Sequence, residues 1–153
     1  MEKTNVMRLL TQKEISFIPH EYDAQLTNGE NIASTLGENP ERVFKTLVTI
    51  ANTGENLVFV IPVCCTLNLK KAANAAHVKN VQMIKQRDLL PLTGYIHGGC
   101  SPLGMKKTFR TFIEESATLH NTIYFSAGKV GHQVEMSVND LLPLLPSELA
   151  DLI

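Results

Sequence analysis

The chain has 153 residues, of which 44% are apolar and 19% charged, and its formal net charge at pH 7 is −1. This length is that of one ordinary domain, which we place over residues 1–153, and the apolar content excludes an intrinsically disordered chain. The near-zero charge argues against a DNA-binding protein and against any protein that holds nucleic acid through a broad basic face.

The first part of the chain alternates helical and extended patterns. Residues 3–14 carry apolar side chains at helical spacing, and a short strand is predicted over 16–20. Asn39 followed by Pro40 is typical of a helix start and predicts a brief helix that ends near Lys45.

A β-hairpin is predicted in the next segment. Two apolar, β-rich runs over 47–51 and 57–63 flank a four-residue loop that contains Gly54. The second run is almost continuously apolar, which indicates a strand buried on both faces. We expect helices to cover it.

The second part of the chain adds one helix and several strands. Asn68 is a suitable cap for an Ala-rich helix that extends to residue 76, and a strand is predicted over 81–84. Further strands are predicted over 95–97, 109–113, 122–125 and 133–138, and a closing helix is predicted with Asn139 as its cap. This order predicts a mixed α/β (α+β) domain with a curved, mostly antiparallel sheet.

The cysteines and histidines give no sign of a metal or a disulfide framework. Cys64 and Cys65 are adjacent, Cys100 is alone, and the five histidines lack ligand spacing. We therefore expect no metal and no cofactor. No apolar run reaches about 18 residues, and the N-terminal residues are polar, so we expect a cytoplasmic protein with no membrane association.

The most unusual segment is the loop over residues 98–104, which reads GGCSPLG and precedes Lys106 and Lys107. Glycines let backbone N–H groups approach a ligand, so such a loop can hold an anion or a developing oxyanion. A tight turn between strands explains the same glycines equally simply. The loop lacks P-loop spacing, and the chain has no GxGxxG after a strand.

Other chemistry-bearing residues have two interpretations each. Lys45 can lay its stem along apolar surface, or it can point its ammonium into a cleft towards a phosphate or an ester carbonyl. Ser126 can belong to a hairpin loop or orient a polar substrate. A Cys100 nucleophile with His97 as its base is disfavoured, because residues three apart on a strand point to opposite faces.

Several motifs taken together resemble one family. They are Phe44-Lys45-Thr46-Leu47, Leu67-Asn68-Leu69-Lys70-Lys71-Ala72, Gly94-Tyr95, the 98–104 loop with Lys106-Lys107, and Ile123-Tyr124 leading to Ser126-Ala127-Gly128-Lys129. In order and spacing they resemble the YbaK/EbsC-like Cys-tRNA(Pro)/Cys-tRNA(Cys) deacylases, from about residue 5 to the C-terminus. The resemblance implies the fold of the editing domain inserted in bacterial prolyl-tRNA synthetases, a curved mixed sheet flanked by short helices.

The resemblance also implies site residues. Lys45 matches the functional lysine of the family, and Gly98 and Pro102 match its GxxxP loop. The implied catalytic set is Lys45, Gly98, Gly99 and Ser101, and the implied substrate-binding set is Tyr22, Thr46, Pro102, Ser126 and Gln133. Gln133 occupies a position that is acidic in some relatives, so this chain lacks a carboxylate there.

The implied activity is trans-editing by an aminoacyl-tRNA deacylase, an ester hydrolase. It would remove cysteine mischarged on tRNA(Pro), with Cys-tRNA(Cys) as a second substrate, and the substrate's own thiol would attack the ester, formally a lyase reaction that leaves a thiolactone. The implied partners are the acceptor end of mischarged tRNA and prolyl-tRNA synthetase. Two alternatives stay open: a deacylase for alanine or another small amino acid that uses water, and a non-catalytic module that binds a nucleotide or tRNA end.

Overall fold

A computed structural model describes residues 3–25 and 29–153 of the chain. It contains helices α1 Asn5–Gln12, α2 Gly29–Thr35, α3 Leu69–Ala76, α4 Gln86–Thr93 and α5 Val138–Leu141, strands β1 Ile18–Glu21, β2 Phe44–Ala51, β3 Asn56–Pro62, β4 Val81–Met83, β5 Thr111–Glu114, β6 Ile123–Ser126, β7 His132–Met136 and β8 Ser147–Ala150, and 3-10 turns at Glu115–Leu119 and Leu142–Leu144. None of the helices in these ranges is long and apolar enough to cross a bilayer.

The strands form two sheets. The larger sheet has the order β4-β2-β3-β5-β8, in which the β2–β3 hairpin is antiparallel and β5 and β8 join in parallel. The smaller sheet, β1-β7-β6, is wholly antiparallel. The predicted mixed α+β class with mostly antiparallel pairing is confirmed, with the strands divided between two sheets.

Strand β3 lies at the centre of the core and is buried on both faces, as its sequence predicts. Val58 and Val60 pack in one apolar cluster with side chains of the smaller sheet, whereas Leu57, Phe59 and Ile61 pack in another against α3. A helix therefore covers only one face, and the smaller sheet contributes to covering the other. Each fully buried side chain of this kind contributes about 1.5 to 3 kcal/mol.

Helix α3 begins where the sequence predicts. The side chain of Asn68 accepts hydrogen bonds from the backbone N–H groups of Lys70 and Lys71, both at 3.1 Å. The helix ends at His77, whose φ of 57° is left-handed. Its buried alanines have short side chains, which let the helix pack closely on the β3 face.

The predicted helix before Lys45 is wrong. The Asn39 side chain accepts from the Glu41 N–H in a turn, and the chain is already extended at Phe44, so Lys45 lies in β2. Val43 forms an isolated parallel bridge with Tyr124, and the Phe44 side chain is buried in the core. These long-range contacts override the local helix-start signal.

Two further secondary-structure predictions are wrong in the second half of the chain. Residues 95–97 form no strand, because helix α4 occupies 86–93 and the chain then turns towards the glycines. The last predicted helix is short, is capped by Ser137 rather than Asn139, and is followed by strand β8 beside β5.

Candidate functional site

A free strand edge opens a cavity beside β2. Strand β4 pairs only with residues 49–51 of β2, and Val43 bridges to Tyr124 at the other end of the same edge. Between these contacts, residues 44–47 have no strand neighbour on that edge among the described residues. The 97–100 turn, α2 and the smaller sheet approach this gap and enclose a space of about 350 Å³.

Five of the nine predicted site residues line this cavity. They are Lys45, Thr46, Gly98, Ser126 and Gln133. The volume lies within the range of about 300 to 1,000 Å³ that is usual for small-ligand sites. The sequence did not predict the apolar part of the wall, which includes Ile32, Val63 and Leu89.

The other four predicted residues lie outside the lining. Ser101 is fully buried, and its Oγ accepts from the Leu103 N–H at 3.3 Å, so it shapes the turn. Pro102 lines a separate cleft, and Tyr22 is buried where its N–H donates to the Gly131 carbonyl. Gly99 is not part of the lining, and its backbone packs on Lys129 and Val130.

Glycine is required at positions 98 and 99 for two different structural reasons. Gly98 has a φ of +87°, which favours glycine, and there is space where a Cβ would stand. At Gly99 a Cβ would lie 3.1 Å from the Val130 nitrogen, so only glycine allows the loop to approach the 129–130 segment this closely.

Fewer backbone N–H groups of the 98–104 loop are free to bind a ligand than the sequence predicts. The Gly99 N–H already donates to the Ile96 carbonyl at 3.0 Å. The N–H groups of Gly98 and Cys100 have no hydrogen-bond partner among the described residues, and both residues line the cavity. The amides of Gly98 and Cys100, rather than that of Gly99, are therefore the N–H groups of the cavity lining that are free to bind an anion.

Lys45 lines the cavity and carries a cation without an ion pair among the described residues. The residue is half-buried. Burial raises the pKa of the neighbouring Cys65 thiol, and the positive charge of Lys45 acts in the opposite direction. Its place in the lining is what the second interpretation of this lysine, with its ammonium directed to a ligand, requires.

Two buried polar atoms of the cavity lining have no hydrogen-bond partner among the described residues. They are Thr46 Oγ1 and Gln133 Oε1, and the Gln133 side chain is only 5% exposed. The hydroxyl of buried Tyr22 is likewise unpartnered. An unsatisfied buried polar atom costs about 1 to 3 kcal/mol, so these atoms are suited to bind a polar ligand.

Cys100 is a poor nucleophile in this setting. Burial raises the pKa of its thiol to about 12, so the thiol is protonated at neutral pH. His97 also lines the cavity, but among the described residues no hydrogen bond joins the two side chains. Residues 97–100 do not form a strand, so the opposite-face reason given against the pair is wrong. The burial of the Cys100 thiol is what disfavours it as a nucleophile.

A polar network lies on the same face of β7 as Gln133. Glu135, two residues further on, accepts from His20 at 2.9 Å, Thr122 at 2.5 Å and Arg42 at 3.2 Å. Burial tends to raise the pKa of Glu135, but these hydrogen bonds and the Arg42 charge hold it below its ordinary value. The network joins β1 and β7 to Arg42 and to Thr122, the residue before β6.

One acidic group among the described residues has oxygen atoms close enough for a metal ion. Glu114, Glu115 and Asp151 place ligand atoms within 4.8 Å of one another. Both oxygens of Glu114 already accept backbone N–H groups, from Ser116 and Leu152, and Asp151 pairs with Lys71. These contacts give the group a structural role in joining β8 to β5.

Comparison with known proteins identifies the family. Residues 23–144 match the model of the aminoacyl-tRNA editing domain, a range that contains every residue of the cavity lining. The chain belongs to the aminoacyl-tRNA editing domain family. This assignment confirms the resemblance found in the sequence motifs.

Relatives of this editing domain agree in length and fold. A protein of Enterococcus faecalis, named as a candidate Cys-tRNA(Pro)/Cys-tRNA(Cys) deacylase, EbsC, is 40% identical over 153 residues, which cover 99% of this chain and 93% of that protein. A candidate trans-editing enzyme for prolyl-tRNA synthetase has a TM-score of 0.86 at 19% identity, with 99% and 98% of the two chains covered. A protein called APE2540 has a TM-score of 0.89 at 20% identity, covering 97% and 99%. The last two show that the fold is shared.

Proposed function

We propose that this aminoacyl-tRNA deacylase removes cysteine mischarged on tRNA(Pro), and also acts on Cys-tRNA(Cys), by positioning the substrate's own thiol against its ester. The observation that carries the proposal is a cavity with a cation and free backbone N–H groups but without an ionised nucleophile in its described lining. The name of the 40% identical relative supports the same substrates.

The chemistry needs no base of unusual strength. The substrate sulfur forms a bond to the ester carbonyl carbon, the bond from that carbon to the tRNA 3′-oxygen breaks, and the thiol proton goes to the leaving oxygen. A thiol with a pKa of about 8.5 is a few per cent ionised at neutral pH. Holding the reacting groups together supplies effective concentrations of about 10⁵ M or more.

Each lining residue has a role in this proposal. Lys45 binds the phosphate of the 3′-terminal nucleotide or the ester region, and the amides of Gly98 and Cys100 face the oxyanion. Ser126, Thr46 and Gln133 hold the polar groups of the aminoacyl moiety. Gly99, Ser101, Pro102 and Tyr22 act through the loop and the wall that they support.

Single-turnover deacylation of Cys-tRNA(Pro), Ala-tRNA(Pro) and Ser-tRNA(Pro) tests the proposal. We expect rapid loss of cysteine alone, because only its side chain carries the attacking group. Preferential loss of alanine would instead identify a water-using deacylase, and binding of all three substrates without turnover would identify a non-catalytic module.

The proposal extends to the binding partners of the protein and to its location in the cell. The acceptor end of mischarged tRNA is the partner that the cavity would hold. We extend the proposal to a complex with prolyl-tRNA synthetase, which the name of the trans-editing structural relative supports. Charged tRNA is used in translation, so the proposal places the protein in the cytoplasm.

Replacing Gln133 with methionine is expected to separate binding from stability. The variant removes an acceptor that has no partner within residues 3–25 and 29–153, so the free energy of unfolding should stay equal or rise by up to about 1 kcal/mol. The KM for Cys-tRNA(Pro) should rise about tenfold, because the aminoacyl group loses its hydrogen bond. Urea unfolding and steady-state kinetics measure both quantities.

The matched control is Gln82→Met, on the exposed part of strand β4 away from the cavity. It should leave the KM at the wild-type value. A Gln133→Met enzyme with an unchanged KM would remove this side chain from the binding set.

A further inference from the structure

A second cleft, of about 250 Å³, lies beside the start of α1 and is basic. Its lining includes Lys3, Arg8 and Lys129, and the described lining contains no aspartate or glutamate. Lys3 and Arg8 are exposed, and neither pairs with a described carboxylate. The Arg8 guanidinium donates to Asn5 Oδ1 at 2.8 Å, which orients it without neutralising it.

This basic cleft adjoins the cavity through a short backbone segment. Ser126 lines the cavity, and the next three residues, 127–129, line the basic cleft. Three Cα steps span at most about 11 Å. The Gly99 backbone packs directly on Lys129 and Val130, so the loop pair 98–99 and 129–130 forms the divide between the two spaces.

The charge of the cleft identifies the kind of ligand. A chain with a formal charge of −1 has no general attraction for nucleic acid, so phosphate binding has to be local. Lys3 and Arg8, two exposed cations that share a described lining with no carboxylate in it, form such a local site, and Lys129 lies at its edge. A third cleft, whose lining includes Leu9 of α1, is also basic. It contains Lys13 and Lys107 and no carboxylate among its described residues.

We propose that the cleft formed by Lys3, Arg8 and Lys129 binds backbone phosphates of the acceptor strand of the tRNA whose aminoacylated end occupies the cavity. Stacked nucleotides advance about 3.4 Å each, so the upper limit of about 11 Å between the two linings corresponds to at most about three nucleotides. The inference rests on the proposed function for the placement of that end. It assigns tRNA affinity to a surface that makes no contact with the reacting ester.

The double variant Lys3→Gln/Arg8→Gln tests the assignment by direct binding. We expect its dissociation constant for uncharged tRNA(Pro) to rise about tenfold in fluorescence anisotropy at low salt. The slope of log affinity against log salt concentration should become shallower by about 1.5 to 2, because two phosphate contacts are lost. Lys70→Gln/Lys79→Gln, which removes the same charge from exposed positions in and after α3, should bind as the wild type does.

A minimal substrate separates this inference from the proposed function. The double variant should cleave the cysteinyl ester of adenosine at the wild-type rate, because that substrate has no acceptor-strand phosphates. Unchanged tRNA affinity and salt slope in the double variant would overturn the inference, as would an equal loss in the α3-side control. Failure of the wild type to cleave any cysteinyl ester would instead overturn the proposed function, while the binding measurements would still decide on the cleft.

Discussion

The Lys45→Ala variant is expected to deacylate Cys-tRNA(Pro) about 10² to 10³ times more slowly than the wild type in single-turnover assays. Lys45 lines the cavity and carries a cation without an ion pair among the described residues, close to the loop that carries the free amides. Loss of one preorganised group that stabilises developing charge typically has an effect of about this size.

The same variant should remain folded, because Lys45 has no ion pair among the described residues that its removal would break. Its thermal unfolding should therefore match that of the wild type. Lys70→Ala, which removes an exposed lysine of α3, is the control and should retain full activity. A Lys45→Ala enzyme that is folded and fully active would show that this cation takes no part in the reaction.

The Gly98→Ala variant is expected to deacylate its substrate about 10²-fold more slowly. The cause would be strain in the backbone conformation at residue 98, not a steric clash of the added methyl group. The φ of Gly98 is +87°, which a residue with a Cβ rarely adopts, yet the nearest atom to an added Cβ is the Val130 Cγ2 at 3.7 Å. Relaxing this strain would turn the amides of Gly98 and Cys100 away from the reacting carbonyl.

Gly54→Ala is a closely matched control. Gly54 lies in the hairpin loop between β2 and β3, has the same φ of +87°, and has no atom within 4 Å of an added Cβ. Both variants should lose about 1 to 2 kcal/mol of stability from the backbone strain. Only Gly98→Ala should lose activity, and equal rates in the two variants would show that the loop amides are not part of the site.

Local patterns predicted much of the fold correctly. The β2–β3 hairpin follows from two apolar runs around a Gly-containing loop, and α3 follows from an Asn cap and an alanine-rich helix. The burial of β3 on both faces also follows from its composition. These features depend on residues close together in the chain, so their signals are readable in the sequence.

The errors occurred where distant contacts compete with a local signal. Asn39-Pro40 is typical of a helix start, but the chain turns and enters β2, because Val43 bridges to Tyr124 and Phe44 is buried. Helix α4 was not predicted because Pro91 lies inside it. Strand β8 forms only because β5 offers it a parallel neighbour.

The sequence determined the family and five residues of the cavity lining, because glycines at special positions and a lysine at fixed spacing are local chemical requirements. Tertiary structure alone decided which loop amides remain free, since the Gly99 N–H is taken by Ile96 and its Cα packs on Val130. It also decided that Gln133 Oε1 has no hydrogen-bond partner in the described part of the chain and that Lys3, Arg8 and Lys129 share one cleft. Such facts depend on the packing of residues far apart in the chain, which no local pattern encodes.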